Sequence, residues 1–238
     1  MQKLTEYLAG KSYPGRGIFF GADTTGNRAV IAYFIMGRSV NSRNRVFVEQ
    51  PDGGIITKAF DESKLVDPSL IIYAPVRVPA RGLYIVTNGD QTDTVRDYLA
   101  AGKTFEEALR TRTYEPDAPN YTPRISGLVR AVDGAMDFRL SILKRDGNEK
   151  LQPLRCFYEY QQPDPGTGCI IHTYMEDGEP LPSYRGEPAH LSFDGELDSF
   201  TADVWNALNE DNKVSLYTCF IDCATGEAEH RIVNKLQA

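Results

Sequence analysis

The segment Ala29–Met36 is an almost unbroken apolar run, and it limits the possible folds more than any other part of the chain. A strand with one solvated face alternates apolar and polar residues, whereas this run is apolar on both faces. We therefore predict a strand that is covered on each side, and Leu70–Ile72 suggests the same. Further runs rich in β-branched and aromatic residues predict more strands in the first third of the chain. They are Gly17–Gly21, Arg45–Val48, Ile55–Phe60, Leu70–Val78 and Leu83–Thr87.

Turn-forming residues separate the first strands. Asp23–Asn27 lies between the first two, and Pro51–Gly54 lies between the third and fourth. Both segments contain the Asp, Asn and Gly residues that are typical of hairpin connections. The first third is therefore predicted to be an antiparallel series of strands.

Two consecutive helices are predicted after Asn88-Gly89. The first, Thr92–Ala101, carries apolar residues at helical spacing and stops at Gly102. The second opens with the capping box Thr104–Glu107, in which Thr and Glu side chains accept hydrogen bonds from free backbone N–H groups. The later predicted elements are the strands Arg124–Val132, Asp137–Leu143, Arg155–Tyr160, Thr167–Tyr174, Val214–Ile221 and Glu229–Leu236, and the helix Ser199–Leu208.

This order of elements indicates an α+β fold, because the strands fall into two groups and the helices are segregated from them. We expect two sheets packed face to face with the helices outside. Neither a repeat nor a Pro/Ser-rich linker divides the sequence. One domain over residues 1–238 is the resulting prediction.

Charge and composition limit the possible partners. The chain has 26 Lys and Arg against 33 Asp and Glu, a formal net charge of −7 at pH 7. Non-specific nucleic-acid binding needs a basic face, so no nucleic-acid partner is expected. Apolar runs fall short of the ~20 residues of a membrane span, and Met1–Gly10 is too polar for a signal peptide. We predict a soluble, cytoplasmic protein with no membrane partner, and the four cysteines indicate neither a disulfide framework nor a metal site.

An arginine-rich segment follows the apolar run. Thr24–Val48 contains four arginines, no lysine and no acid, in a chain that is acidic overall. Arginine presents a rigid fork that matches carboxylate or phosphate oxygens in pairs, so the segment indicates an anion site. The alternative is an exposed loop whose arginines pair with surface acids.

Two further segments carry clustered polar residues. Asn88–Thr94 lies at the entry to a helix, where free backbone amides can contact a ligand, although Asp90 and Asp93 would repel a phosphate. A capped helix start explains the same residues. Tyr114–Arg124 contains three prolines that stiffen the backbone, so this loop could hold Glu115 and Arg124 in place.

In their order and spacing, these segments resemble the archaeal-type IMP cyclohydrolases and their bacterial IMP cyclohydrolase-like relatives. The matching patterns are Arg38-Ser39 with Asn44-Arg45, then Asn88–Thr94, then Tyr114–Ile125. The likeness covers about residues 14–130. Tyr13–Gly17 and Ile171–Tyr174 look like the bacterial branch, whereas the C-terminal half gives little recognisable match.

The resemblance implies a four-layer αββα fold similar to that of N-terminal-nucleophile hydrolases, without autoprocessing. It also implies cofactor-independent ring closure of 5-formamidoimidazole-4-carboxamide ribotide to IMP with release of water, a purine ribotide as the small-molecule partner, and a homo-oligomer. Two alternatives stay open. They are a related hydrolase or cyclase acting on another nucleotide-like amide, and a non-catalytic nucleotide-binding protein.

Site residues follow from the same resemblance. Arg45 would polarise the formyl or carboxamide oxygen, Tyr73 would donate or relay a proton, and Glu115 would orient the amide or accept its proton. Structural roles compete with these assignments, because Tyr73 could be a core aromatic residue and Glu115 could pair with an arginine to hold its loop. The residues that would contact substrate are Arg38, Ser39, Asn44, Asn88, Asp93, Thr94 and Arg124.

Overall fold

Two antiparallel sheets form the centre of the protein. The computed structural model describes residues 1–65, 68, 71–146 and 152–237. Within these ranges the strands are β1 (Arg16–Ala22), β2 (Arg28–Met36), β3 (Arg45–Glu49), β4 (Ile55–Ala59), β5 (Val76–Ala80), β6 (Leu83–Thr87), β7 (Arg124–Val132), β8 (Ala135–Arg145), β9 (Pro153–Gln161), β10 (Thr167–His172), β11 (Ala189–Ser192), β12 (Lys213–Asp222) and β13 (Ala228–Asn234). The first sheet has the order β11-β10-β1-β2-β12-β13, and the second runs β3-β4-β5-β6-β7-β8-β9.

The central strand β2 is covered on both faces, as its composition predicts. Side chains alternate between two cores because successive residues of a strand point to opposite faces. Those facing the second sheet are Ala29, Ile31, Tyr33 and Ile35. Those on the other face are Val30, Ala32, Phe34 and Met36, and they pack with residues of two helices.

Helices cover the outer face of each sheet. The helices are α1 (Leu4–Ala9), α2 (Val40–Arg43), α3 (Gln91–Ala100), α4 (Phe105–Arg110) and α5 (Leu197–Ala207), with a short 3₁₀ turn at Glu62–Lys64. Apolar residues of α1 and α5 pack on the first sheet, and those of α3 and α4 pack on the second. The predicted α+β class and the two antiparallel sheets are therefore confirmed. No helix in the described ranges has both the length and the apolar character that crossing a bilayer requires.

The sequence prediction was wrong for one strand and missed several elements. The strand predicted at Leu70–Val78 corresponds to β5, which begins only at Val76 and ends at Ala80. The chain before β5 forms a turn, because the backbone N–H groups of Ile71 and Ile72 both donate to the carbonyl of Pro68. Ile72 is consequently exposed rather than covered on each side, and Leu70 lies outside the described residues. The elements that the prediction did not include are α1, α2, β11 and the 3₁₀ turn.

Candidate active site

Five buried polar side chains interact where the start of β1, the second half of β2, the start of β3, the loop after α4 and the segment before β5 come together. We call this group the buried polar cluster, and its members are Arg16, Tyr33, Arg45, Tyr73 and Glu115. Each is at most 9% exposed. Direct hydrogen bonds and close electrostatic interactions connect them. The cluster brings together all three residues to which sequence analysis gave a chemical role.

Arg16 and Glu115 form a buried ion pair. The terminal nitrogen Nη2 of Arg16 lies 3.3 Å and 3.2 Å from the two carboxylate oxygens of Glu115. Burial by itself would lower the pKa of Arg16, but Glu115 and neighbouring tyrosines raise it above its ordinary value. The Nε atom of Arg16 is buried and meets no acceptor among the described residues. Arg16 therefore keeps one buried N–H donor without a partner in the described part of the chain.

The residue before Arg16 must be glycine. Gly15 has a φ of +79°, and a Cβ atom there would lie 2.2 Å from Oγ1 of Thr173. That hydroxyl accepts a hydrogen bond from the backbone N–H of Arg16 at 3.1 Å. The close approach of the two segments fixes the position at which the Arg16 side chain enters the cluster.

Arg45 is buried without a carboxylate partner in the described part of the chain. Its Nε donates to the carbonyl of Ser42 at 2.8 Å, and Nη2 donates to the carbonyl of Met36 at 3.2 Å. Burial lowers the pKa of Arg45, and the nearby Arg16 adds to that effect. Backbone carbonyls thus orient the guanidinium without neutralising its charge.

The cluster has an excess of positive charge. Arg16 and Arg45 contribute two guanidinium groups, and Glu115 is the one carboxylate within this group of five residues. A buried charge without a counter-charge is costly, because the protein interior solvates it poorly. An incoming oxyanion, or an oxygen that gains negative charge during a reaction, would offset that cost.

Tyr33 and Tyr73 form a hydroxyl pair next to the arginines. Their oxygens are 2.8 Å apart. Burial raises the pKa of Tyr33, and Tyr73 raises it further, so the Tyr33 hydroxyl keeps its proton. Thr57 holds the backbone of Tyr73, since its Oγ1 accepts from the Tyr73 N–H at 2.9 Å and lies 3.1 Å from the Tyr73 carbonyl oxygen. The pair can donate a proton or a hydrogen bond to a ligand.

The loop that carries Glu115 is held by its own contacts. The Glu115 N–H donates to the carbonyl of Thr122 at 2.9 Å, and the Thr122 hydroxyl lies 2.5 Å from that of Tyr174. Asp117 accepts from the Thr122 N–H at 2.7 Å. Burial raises the pKa of Glu115, whereas Arg16 and Arg124 oppose the rise. A carboxylate in such surroundings holds a proton more tightly than one at the surface.

The arginine-rich segment contributes Arg38 near the cluster. Its Nη1 donates to Asp177 at 2.5 Å and to the carbonyl of Gly178 at 3.2 Å. The guanidinium also lies 5.1 Å from the ring centroid of Tyr13, and that ring stacks on Tyr174. Arg38 is partly exposed, so a ligand entering the cluster from this side would meet it.

Ser39 and Asn44 have structural contacts in the same segment. Ser39 is the exposed N-cap of α2 and accepts a hydrogen bond from the N–H of Ser42. Asn44 is buried, donates to the carbonyl of Asp61 at 2.8 Å, and accepts from the Asp61 N–H at 2.8 Å. These contacts set the conformation of the chain on either side of Arg45.

The Asn88 segment is bonded directly to the end of the Glu115 loop. The side chain of Asn88 donates to the carbonyl of Pro123 at 2.9 Å and accepts from the N–H of Ile125 at 2.8 Å. Arg124 donates to Asp90 at 2.7 Å and to Gln91 at 2.6 Å. Two of the predicted segments therefore meet, with Asn88 and Arg124 already engaged by protein atoms.

Asp93 and Thr94 lie on α3. Asp93 accepts from Arg77 and from Arg96, each at 2.8 Å. Thr94 is half-buried on the helix. The described contacts of these two residues do not place them in the buried polar cluster.

Sequence reasoning missed Arg16, Tyr33 and Tyr174. Tyr13–Gly17 and Ile171–Tyr174 were noted as family-like segments without a role, and Tyr33 was read as part of an apolar run. A charged residue at the start of an otherwise buried strand was a usable signal for Arg16. Tyr33 had no comparable local signal, because its partner Tyr73 is 40 residues away.

Fold and site together define an α+β protein whose two sheets meet at a buried cluster of polar side chains with an excess of positive charge. The sequence model of the family described as "IMP cyclohydrolase-like protein" matches residues 13–227. The chain belongs to this family. It is also 29% identical over 171 residues to the protein named IMP cyclohydrolase of Methanopyrus kandleri. The aligned region covers 70% of this chain and 77% of that protein. The family match extends through the C-terminal half, where the motif comparison had found little.

Proposed function

We propose that this protein is a cofactor-independent IMP cyclohydrolase, which closes 5-formamidoimidazole-4-carboxamide ribotide to IMP and releases water. The observation that carries the proposal is the buried polar cluster, in which two guanidinium groups, one carboxylate and a hydroxyl pair converge. Family membership and the archaeal relative support the same activity.

The reaction needs proton transfers and charge stabilisation. The carboxamide nitrogen attacks the formyl carbon, and negative charge develops on the formyl oxygen. That oxygen leaves as water after it takes up two protons, while the carboxamide nitrogen and the formamido nitrogen each lose one. Because the reacting groups belong to one molecule, holding them in contact supplies much of the acceleration.

The cluster offers a proton donor, a proton acceptor and groups that stabilise negative charge. Arg45, with Arg16 beside it, would stabilise the developing oxyanion, since preorganised donors in a dry site act most strongly where charge develops. Tyr73 would donate a proton to the formyl oxygen, with Tyr33 as its hydrogen-bonded neighbour. Glu115 would accept a proton from the carboxamide nitrogen.

The substrate contacts are part of the proposal. Arg38 would meet the ribotide at the entrance of the cluster, where it now pairs with Asp177. Ser39 and Asn44 would shape the wall beside Arg45. Asn88 would form the adjoining wall, Arg124 would share the phosphate and base contacts with Arg38, and Asp93 and Thr94, on α3, would contact the ribotide outside the cluster.

Three architectural proposals accompany the function. The helices on the outer faces of the sheets support a four-layer arrangement like that of N-terminal-nucleophile hydrolases, and we propose that this arrangement forms without autoprocessing. The core shared by the two sheets supports a single domain. We further propose that the protein is a symmetric homo-oligomer, the most common arrangement of soluble assemblies.

The test is to measure IMP formation from the formamido ribotide with a chelator present. We expect turnover by the wild-type chain, and a loss of about 10²–10³-fold in kcat for Arg45→Ala or Glu115→Ala. Arg130→Ala is the matched control, because Arg130 is exposed and pairs with Asp137. If IMP stabilises the wild-type chain against heat but no product forms, the protein binds nucleotides without this activity. Turnover of a different ribotide amide alone would indicate a related cyclase or hydrolase.

A further inference from the structure

A second cationic site lies beside the loop that carries Glu115. It is a cavity of about 370 Å³ between the tip of that loop, the end of β8 and the segment 180–185. Its lining includes Lys144, Arg145 and Arg185, and the described lining contains one acid, Asp146. In a chain with a net charge of −7, this excess of cations marks a local attraction for anions.

Arg145 has an unpaired donor in this cavity. Its guanidinium lies 4.8 Å from the ring centroid of Tyr121. Its Nε is buried and meets no acceptor among the described residues. Buried donors in proteins are almost always paired, so the site is suited to an incoming acceptor.

Lys144 and Arg185 place like charges near each other. Lys144 donates to the carbonyl of Tyr184 at 2.6 Å, which holds its ammonium group at the cavity. Burial lowers the pKa of Lys144, and the nearby Arg185 contributes to the lowering. The three cations of the lining outnumber its one carboxylate, Asp146, so a bound anion would relieve their mutual repulsion.

We propose that this cavity, which we call the Arg145 pocket, binds a phosphate group and that the ribotide supplies it. Two arginines match phosphate oxygens by paired hydrogen bonds, and the lysine adds charge. Tyr121 at the pocket is followed directly by Thr122, whose hydroxyl contacts Tyr174 next to the buried polar cluster. One loop therefore borders both sites, so a ribotide could have its phosphate in the pocket and its base in the cluster. The identity of the phosphate source rests on the proposed function.

The experiment compares ligands by calorimetric titration into the full chain. The ligands are IMP, inosine and inorganic phosphate. The variants are Arg185→Gln alone and Arg185→Gln combined with Arg145→Gln, with Arg130→Gln as the control at an exposed position of β7. Arg185 is exposed, so its single variant tests the pocket even if the double variant does not fold.

We expect each arginine change to weaken IMP binding by about 10-fold or more, the effect of one lost charge-assisted contact. Inosine should bind equally to all variants, and inorganic phosphate should compete with IMP. If phosphate binding is lost but IMP binding is unchanged, the pocket takes free phosphate rather than the ribotide. Unchanged affinity for both ligands overturns the proposal. If the wild-type chain binds phosphate but not IMP, the result contradicts the proposed function but still supports phosphate binding in the Arg145 pocket.

Discussion

Replacing Tyr73 by Phe removes one hydroxyl and little else, so it tests the proposed proton donor directly. Tyr73 and Tyr33 are both buried, with their hydroxyl oxygens 2.8 Å apart. Tyr73→Phe leaves the Tyr33 hydroxyl without that partner in the interior. Such an unpaired group costs about 1–3 kcal/mol. For a chain of this length, the cost corresponds to a fall in Tm of ~2–12 °C.

Activity should respond differently from stability. Losing a general acid typically reduces the rate by about 10²–10⁴-fold. In the double variant Tyr33→Phe with Tyr73→Phe, both hydroxyls are absent, so neither of them is left unpaired. Exchanging both partners for apolar groups of similar shape is nearly neutral, so the double variant should regain most of the lost stability. Its kcat should remain as low as that of Tyr73→Phe.

The assay combines thermal unfolding with steady-state formation of IMP for the wild type, both single variants and the double variant. Tyr160→Phe serves as a matched control, because Tyr160 is a half-buried tyrosine of β9 that packs on Phe138. A Tyr73→Phe variant with wild-type kcat would refute the role of the hydroxyl in the reaction. Recovery of activity together with stability in the double variant would show that the single change acts only through folding.

Three more predictions follow from single groups. Arg45→Lys keeps the positive charge but loses the paired N–H donors of the guanidinium. In steady-state kinetics, kcat should therefore fall about 10²-fold or more with little change in KM. An unchanged kcat would contradict the role of Arg45 in stabilising the oxyanion. Thr104→Ala removes the cap that accepts from the Glu107 N–H at 3.1 Å, which should cost about 1 kcal/mol in urea unfolding and leave kcat unaltered. Burial lowers the pKa of His172 from 6.5 to about 3. The neutral ring therefore contributes stability that is fully present above pH 6.5 and is lost as the pH falls towards about 3. Urea unfolding between about pH 7 and about pH 4 should show a steeper loss for the wild type than for His172→Gln, and equal slopes would argue against this account.

Local patterns were sufficient for most of the secondary structure. Leu83–Thr87 and Arg124–Val132 were predicted with the observed bounds. β-branched residues favour a strand and flanking turn residues end it, and both preferences depend only on positions close together in the chain. The capping box at Thr104 is likewise formed as predicted. Leu70–Val78 was assigned wrongly because the contacts that turn the chain at Pro68 are not encoded in apolar composition.

The candidate site was only partly predictable. Motif likeness identified Arg45, Tyr73 and Glu115 as a set, and the structure places these three residues together. Arg16 was missed as the ion-pair partner of Glu115, since the two residues are 99 positions apart in the chain. No local pattern reports which distant side chains will share a buried space.

The sequence by itself determined the alternation of apolar and turn-forming residues, and with it the two-sheet α+β class and the covered strand Ala29–Met36. Periodicity and turn chemistry act between neighbouring residues, so they can be read from the chain directly. Only the tertiary structure decided that Arg16 pairs with Glu115, that Arg45 lies beside this pair, that Tyr33 pairs with Tyr73, and that Arg145 lines a separate cationic pocket. Those relations depend on the register and packing of two sheets, which bring together residues that are far apart in the sequence.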